Sequence, residues 1–159
     1  MKVEWDFSEL TDFGDNLLSL GSAFDKHLSV AAKKVAQALI KRIKGFTPVL
    51  DYDLINGWNE NKLLVTGTET GYEVLLVNKM EYAAYVNDGH KQRPGRFIPG
   101  YWAGARRFVY VPGYPEGMVL KKSWVQGKFF VEKGIVSLAN VSEIEQIIMQ
   151  ELQKWWDSL

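Results

Sequence analysis

One long apolar stripe in the first third of the chain restricts the fold more than any other sequence feature. From Phe7 to about Lys44, apolar residues recur at steps of three and four, the spacing of one face of an α-helix. Ser8 is a candidate N-cap, and Gly45 followed by Pro48 supplies the stop signal. The pattern predicts a helix over residues 7–44, with a stripe made of Leu10, Phe13, Leu17, Leu20, Phe24, Leu28, Ala31, Val35, Leu39 and Ile43.

The predicted helix is long for so small a protein. About 35 residues at about 1.5 Å each reach about 50 Å, so part of the stripe is expected to face another chain. Its charges are polarised, with acidic residues from Glu4 to Asp25 in the first half and basic residues from Lys26 to Lys44 in the second. This order complements the helix dipole, or it brings the acidic and basic ends of neighbouring copies together in a ring. The sequence does not choose between these explanations.

The middle of the chain carries the alternating pattern of short strands. Residues 62–68 and 72–78 are predicted to form a β-hairpin with Thr70-Gly71 at its turn. Residues 82–87 are predicted as a third strand and residues 124–132 as the last one.

A closing helix is predicted over residues 142–157, where Ser142 as N-cap and Glu145 three residues later form a capping-box pattern. Together the elements predict one α+β domain spanning the whole chain. Its small, mostly antiparallel sheet lies within residues 62–132 and is packed by the long N-terminal helix and the C-terminal helix. A long loop arm extends over about residues 89–115.

Composition excludes several classes of protein. The 159 residues include no cysteine, which rules out disulfides and thiolate metal sites. Lys plus Arg and Asp plus Glu number 19 each, so no global field attracts the chain to nucleic acid or membrane. No segment has the roughly 20 apolar residues of a membrane span, and the N-terminus lacks the apolar stretch of a signal peptide. Cytoplasmic synthesis without membrane association is therefore expected.

The loop arm is the richest source of candidate contact residues. Between Gly89 and Pro115 the chain is dominated by Gly, Pro, Arg and aromatic residues and has no Asp or Glu. Arg, Tyr and Trp are enriched at interface hot spots, and guanidinium groups and rings also bind phosphates and stack on bases. A loop of this length more often has a function, or becomes ordered on a partner, than lacks a role. The predicted partner-contact residues are Arg93, Arg96, Phe97, Tyr101, Trp102, Arg106 and Arg107.

The segment that leads into the arm carries a family resemblance. A Tyr-Ala-x-Tyr-Val-Glu-x-Gly-like strand-end motif is matched by Tyr82, Ala83, Tyr85, Val86 and Gly89. Asn87 stands where the motif usually has Glu. An aromatic segment at residues 128–134 resembles a second landmark just before the last helix, but it lacks the Pro and Arg that this landmark usually has. With the order of the predicted elements, these features resemble the neck and tail-completion proteins, which are minor structural proteins of long-tailed bacteriophages and prophages.

The resemblance implies a structural role without a cofactor. Such a protein oligomerises into a ring, in some cases only on assembly, and joins the head connector to the tail. The implied partners are other copies of the chain, head-closure or connector proteins and tail proteins, with weak contact to DNA in the channel. The implied location is the host cytoplasm during assembly and then the virion or a phage-tail-like particle.

Catalytic patterns are weak by comparison. The best set for a divalent metal beside a charge-stabilising lysine, as in many nucleases, is Asp51, Asp53, Glu60 and Lys62. Solvated turn residues explain the same spacing. His27 and His90 lack a second His or a Glu at ligand spacing and are expected at the surface. We therefore expect a protein that is not an enzyme, with a nucleic-acid-binding or metal-dependent nuclease domain as the competing hypothesis.

Overall fold

The chain divides into two compact units. A computed structural model describes residues 1–6, 22–49, 52–59, 63–69, 71–105 and 107–158. The core unit comprises Met1–Ala83 and Phe130–Leu159, and the ribbon unit comprises Ala84–Phe129. That the whole chain is one domain stays a prediction.

The described residues contain five helices and eight strands. In chain order they are β1 (Lys2–Asp6), α1 (Ser22–Phe46), α2 (Asp53–Asn56), β2 (Leu64–Thr68), β3 (Gly71–Val77), α3 (Ala83–Asp88), β4 (Gly89–Lys91), β5 (Phe97–Ala103), β6 (Arg107–Tyr110), β7 (Gly117–Val119), β8 (Trp124–Gln126), α4 (Phe130–Ala139) and α5 (Glu143–Trp156).

The sheet of the core unit has three antiparallel strands in the order β1-β3-β2. Strands β2 and β3 form the predicted hairpin, with Val65 opposite Val74. Val74 and Leu76 are buried, whereas Glu73 and Val77 are exposed. Because side chains alternate between the faces of a strand, one face of this sheet is turned into the core.

Strand β1 is absent from the sequence-based prediction. It pairs with β3 so that Val3 lies opposite Leu76. The placement of Glu4 and Asp6 in the first half of the long helix is therefore wrong, because both residues lie in the strand. The segment from Lys2 to Asp6 alternates polar and apolar residues, which is the period of a strand and not of a helix.

The long helix is confirmed from Ser22 to Phe46 as α1, whereas residues 7–21 of that prediction lie outside the described residues. Helix α1 contacts β2 and β3 as well as α4 and α5, so it is the central element of the core unit. Its buried side chains keep helical spacing and are Phe24, Ala31, Ala32, Val35, Ala36, Leu39, Ile40 and Ile43.

The strand predicted over residues 124–132 is wrong beyond Gln126. Phe129 has a left-handed backbone with φ of 51°, and α4 begins at the next residue. The sequence pattern misled because two aromatic residues at the start of a helix look like the end of a strand.

Helix α4 packs very closely on α1. Phe130, Gly134 and Leu138 are buried at steps of four, which is a helical period. A Cβ atom at Gly134 would lie 2.5 Å from Cγ1 of Ile43 and 3.0 Å from its Cα. Only glycine allows this approach of the two backbones without a shift.

The closing helix is confirmed as α5, but the capping box is not formed. Ser142 occupies the N-cap position, yet its hydroxyl makes no hydrogen bond to the backbone of the helix. With φ of −70° and ψ of 14°, Ser142 is not in the extended conformation typical of a capping residue. Its hydroxyl instead accepts a hydrogen bond from the Gln146 side-chain amide at 3.1 Å.

A buried asparagine ties the loop around α2 to the end of β3. The Asn78 side-chain amide donates to the Leu54 carbonyl at 2.9 Å, and its oxygen accepts from the Met80 amide at 2.9 Å. Both polar ends of this side chain are thus satisfied, as burial requires. A Cβ at Gly57 would lie 2.2 Å from the Asn78 oxygen, so this contact depends on glycine.

Helix α3 corrects the interpretation of residues 82–87 as a strand. Ala83 and Asn87 are four residues apart and both fully buried, which is the period of a helix. The strand-end motif therefore lies on a helix and its end. Gly89, with φ of 82°, turns the chain into β4, and a Cβ there would lie 2.4 Å from the Val125 carbonyl oxygen.

The first part of the ribbon unit is a two-stranded antiparallel ladder. Strand β4 pairs with β8. Further along, the amides of Gln92 and Gly95 donate to the carbonyls of Ser123 and Leu120 at 3.0 and 2.8 Å. We name this ladder, made of residues 89–96 and 120–126, the shank.

The second part of the ribbon unit is a three-stranded antiparallel sheet in the order β6-β5-β7, which we name the tip sheet. The prediction of a loop arm over about residues 89–115 is corrected accordingly, because β4, β5 and β6 lie in that range. Within this range, the segment from Arg107 to Tyr110 is paired as β6. Strands β4 and β5 pair with β8 and β7, which are distant in the chain, so the local sequence pattern did not reveal them.

The α+β fold class is confirmed, with small antiparallel sheets and helices near both ends of the chain. The described strands form three small sheets in place of the one that was predicted. No helix in the described ranges combines the length and apolar character needed to cross a membrane.

Candidate partner-contact surface

The tip sheet carries aromatic side chains on both faces. Residues directly opposite each other across an antiparallel pair share a face, and neighbours along a strand alternate between faces. Trp102 lies opposite Phe108, whereas the adjacent Tyr101 lies opposite Val109. Trp102 and Tyr101 are 55% and 44% exposed, so neither face is closed by a second layer over these rings.

The first face is organised around Trp102, Phe108 and Gly100. The Trp102 and Phe108 rings meet edge to face with centroids 5.3 Å apart. A Cβ at Gly100 would lie 2.1 Å from the Val109 carbonyl oxygen and 2.9 Å from the Phe108 ring. The Phe108 ring therefore covers Gly100, and Tyr110 continues the same face with its side chain exposed.

The opposite face combines aromatic rings with a cation. The rings of Tyr101 and Tyr114 have centroids 5.8 Å apart. Phe97 lies against Gly117, where a Cβ would be 2.7 Å from the Phe97 ring. Arg107 shares this face, opposite Ala103. Exposed rings with an arginine at the edge are the composition of an interface hot spot.

The structure divides the seven residues predicted for partner contact. Phe97, Tyr101, Trp102 and Arg107 lie in the tip sheet. Arg93 and Arg96 lie in the shank. Arg106 is outside the described residues. The sequence alone presented these residues as one group, and whether they contact a partner stays a prediction.

The two shank arginines are the ends of a tight turn. The Arg96 amide donates to the Arg93 carbonyl at 3.3 Å, and Gly95 has φ of 80°. Pro94 at the second position and a glycine of positive φ at the third are the signature of a type II β-turn. The Pro-Gly dipeptide could have revealed this turn from the sequence.

Three lysines of the shank were not among the residues predicted from the sequence to contact a partner. Lys91 lies in β4 next to the turn, and Lys121 and Lys122 come from the opposite strand, between Leu120 and Ser123. No local pattern joins residues 91–96 to residues 121–122. Their proximity follows only from the antiparallel register.

The helix-end motif has mixed exposure. Ala83 is buried, whereas Tyr82 and Tyr85 are exposed. The Tyr85 ring lies edge to face with His90 at 5.7 Å. The Val86 carbonyl accepts a hydrogen bond from the Lys128 amide at 2.9 Å, which joins the two ends of the ribbon unit. The motif therefore organises the start of the ribbon unit, with Gly89 as its turning point.

Three of the four residues of the candidate metal set are not among the described residues. Asp51, Glu60 and Lys62 are outside the described residues, and Asp53 is an exposed residue at the start of α2. Within the described ranges, no group of three or more His, Cys, Asp or Glu side chains is arranged to hold a metal ion.

The most perturbed carboxylate lies in the core unit. Glu151 of α5 is only 3% exposed and accepts hydrogen bonds from Lys154, at 2.6 Å, and from Lys34 of α1. These two hydrogen bonds lower the pKa of Glu151 to about 2, and the bond from Lys154 has the larger effect. His27 is 3.8 Å from the same carboxylate and half-buried, so it is less exposed than predicted. Helices α1 and α5 are thus joined by a charged cluster.

A second perturbed group connects α1 to the sheet. The Tyr72 hydroxyl of β3 donates to the carbonyl of Asp25 at 2.8 Å and also to the Asp25 carboxylate. Burial, together with this carboxylate, raises the pKa of Tyr72. Both groups join elements of the core unit.

Comparison with known proteins links the chain to phage-like elements. It is 34% identical over 95 residues to the uncharacterized protein YqbI of Bacillus subtilis (strain 168), covering 55% of each chain. It is 28% identical over 91 residues to the phage-like element PBSX protein XkdI of Bacillus subtilis (strain 168), covering 56% of this chain and 55% of that protein.

The chain spans about half the length of the curated relatives it matches. No family model matches the chain, and no solved structure matches it significantly. The similarity to XkdI supports a phage or prophage protein.

Proposed function

We propose that this chain is a structural protein of the neck or tail-completion region of phage or prophage particles. Copies of the chain oligomerise into a ring that joins the head connector to the tail. The similarity to a protein of the phage-like element PBSX carries this proposal. The α+β order of elements is in agreement with it. The residues of the motif at Tyr82 to Gly89 match in sequence, although they lie on a helix and not at the end of a strand.

In this proposal the tip sheet is the surface that contacts a neighbour. Three short strands with exposed rings on both faces are marginally stable in water unless another layer covers them. Exposed apolar patches of this kind mark interaction sites. A neighbouring copy, a connector protein or a tail protein would provide the missing layer.

The proposed mechanism is assembly without turnover. The tip sheet is stabilised when a partner covers Trp102 and Tyr101, and the binding energy offsets the entropy of holding these side chains in place. The proposal assigns no catalytic step and no cofactor to the chain.

Co-purification tests the proposal. The tagged full chain is expressed with the neighbouring genes of its phage or prophage, and bound proteins are identified by mass spectrometry. Recovery of connector, head-closure or tail proteins is the expected result. Recovery of none of them, or of nucleic acid alone, would contradict the neck assignment.

A pair of variants locates the contact on the tip sheet. The double variant Tyr101→Ala with Trp102→Ala should lose the co-purifying proteins while its far-ultraviolet circular dichroism is retained. Trp156→Ala is the matched control, because Trp156 is 65% exposed on α5 of the core unit. Equal losses in both proteins would mean that exposed aromatic surface in general, and not the tip sheet, holds the partner.

The competing nuclease function has a decisive test of its own. DNA cleavage that requires Mg²⁺ and is lost in Glu60→Ala would replace the structural proposal.

A further inference from the structure

We infer that the shank binds the phosphate backbone of duplex DNA through a cluster of five cations, which are Lys91, Arg93, Arg96, Lys121 and Lys122. This surface differs from the tip sheet, and the inference does not depend on the neck assignment.

Charge is divided very unequally between the two units. The ribbon unit has eight Lys and Arg residues against two Asp and Glu, a net of +6. The core unit has eleven against seventeen, a net of −6. The neutral total therefore hides a strongly basic unit. Within it, the two strands of the shank contain all five cations of the cluster and no carboxylate.

Backbone geometry gathers these cations. The ends of a β-turn have Cα atoms within about 7 Å, which brings Arg93 and Arg96 together. The Gly95 amide donates to the Leu120 carbonyl at 2.8 Å, and the Leu120 amide donates to the Arg96 carbonyl at 2.9 Å. Two residues of the first strand therefore face one residue of the second, so the first strand bulges at Gly95 and Arg96. Lys121 and Lys122 directly follow Leu120, opposite the first half of the turn. Four cations therefore lie at or beside this bulge, and Lys91 lies two residues before the turn.

The cluster is available to an external anion. All five side chains are exposed. None of them forms an ion pair within the part of the chain that the structure describes. In the core unit, by contrast, Arg42 lies 2.6 Å from Glu143 and Lys34 pairs with Glu151. Unpaired like charges in close proximity repel one another, and a polyanion relieves that repulsion.

Duplex DNA fits the shank better than the other polyanions. The major groove of B-DNA admits a two-stranded β-ribbon, and the duplex presents about one negative charge per 1.7 Å. Single-stranded nucleic acid is held by stacking on several aromatic rings, but Trp124 is the only Phe, Tyr or Trp of the shank. The other aromatic residues in the strands of the ribbon unit lie in the tip sheet.

Fluorescence anisotropy with a short labelled duplex of mixed sequence tests the inference on the full chain. Five phosphate contacts predict a slope of about −4.5 for log K against log salt, or roughly 500-fold weaker binding at 200 than at 50 mM salt. The double variant Lys121→Ala with Lys122→Ala should reduce the slope by about 1.8 and weaken binding about 50-fold near 0.1 M salt.

The control variant removes the same charge from the core unit. Lys33→Ala with Lys41→Ala deletes two exposed lysines of α1 and should leave the slope unchanged. Absence of salt-dependent DNA binding, or an equal loss in the control, would overturn the inference. Tighter binding of single-stranded DNA would also overturn it. Equal competition by poly-glutamate would assign the cluster to an acidic protein surface instead.

Discussion

The core unit and the ribbon unit are built on different physical principles. Every buried apolar side chain of the described residues belongs to the core unit, from Phe24 in α1 to Trp155 in α5. The described residues of the ribbon unit include no buried apolar side chain. Backbone hydrogen bonds between its strands order this unit, and many of its aromatic rings remain exposed. The core unit carries an excess of carboxylates, whereas the ribbon unit carries an excess of cations.

This difference separates the source of stability from the source of recognition. Burial of apolar surface dominates folding free energy, so the core unit supplies most of it. A surface that is already buried against its own chain has little left for a partner. The ribbon unit keeps its aromatic rings and cations available, at the expense of its own stability.

The largest effect should come from removing a buried ring. Phe130 is 0% exposed and meets Trp58 edge to face at 6.4 Å, so Phe130→Ala should lower the free energy of unfolding by about 3–5 kcal/mol. The matched change in the ribbon unit, Trp102→Ala, should lower it by less than about 1 kcal/mol. Urea denaturation measures both. Comparable losses would show that the ribbon unit contributes to the same core.

The next largest effect concerns a charge paired within the core unit. Glu151→Gln removes the carboxylate that Lys154 and Lys34 bind and should cost about 2–3 kcal/mol near neutral pH. The pKa of Glu151 is lowered from 4.5 to about 2, so its stabilisation is present above pH 4.5 and is lost as the pH falls towards 2.

Denaturation of Glu151→Gln and the parent chain across this pH range measures the difference. It should be constant above about pH 5 and should shrink below pH 4.5. Lys122→Gln, from the unpaired cluster of the shank, is the contrasting variant and should show no such trend. A difference that persists unchanged at low pH would mean that Glu151 acts through packing and not through its charge.

A smaller and local effect should follow from Gly100→Ala. The added Cβ would meet the Val109 carbonyl, so β5 and β6 must separate. Amide hydrogen exchange of the tip sheet should accelerate about 10- to 100-fold while the unfolding of the core unit stays within about 0.5 kcal/mol. Gly67→Ala in β2 is the control, because its nearest neighbour would be 3.8 Å away. A large global destabilisation by Gly100→Ala would contradict the separation of the two units.

The smallest effect is expected at the start of α5. Because the Ser142 hydroxyl makes no backbone cap, Ser142→Ala should change the free energy of unfolding by less than about 0.5 kcal/mol. Thermal unfolding compares the variant with the parent chain. A loss of about 1 kcal/mol or more would indicate that the capping box forms in solution.

Much of the core unit was predictable because its signals are local and periodic. The stripe from Phe24 to Ile43 and the alternation around Val74 each follow from the spacing of neighbouring residues. The errors in assigning secondary structure occurred where a short segment fits both the two-residue period of a strand and the period of a helix. Residues 82–87 resemble a strand until the burial of both Ala83 and Asn87 shows that their period is four.

The candidate site was predictable in its residue types but not in its arrangement. Arg93 and Trp102 were found by composition, yet they lie on different parts of the ribbon unit. Lys121 and Lys122 were missed because they are about 30 residues away along the chain. The Pro94-Gly95 turn was the one local signal that could have separated the shank from the tip sheet.

By itself the sequence determined the α+β class, the helices around Val35 and Ile148, and an aromatic, arginine-rich segment in between. These properties depend on periodicity and composition, which are visible among residues that are neighbours in the sequence. Three further properties follow from tertiary contacts alone: this segment is a paired ribbon, its cations gather at one bulge, and its rings divide between two faces. Antiparallel pairing brings together residues that are distant in the chain, and no local pattern encodes which of them will meet.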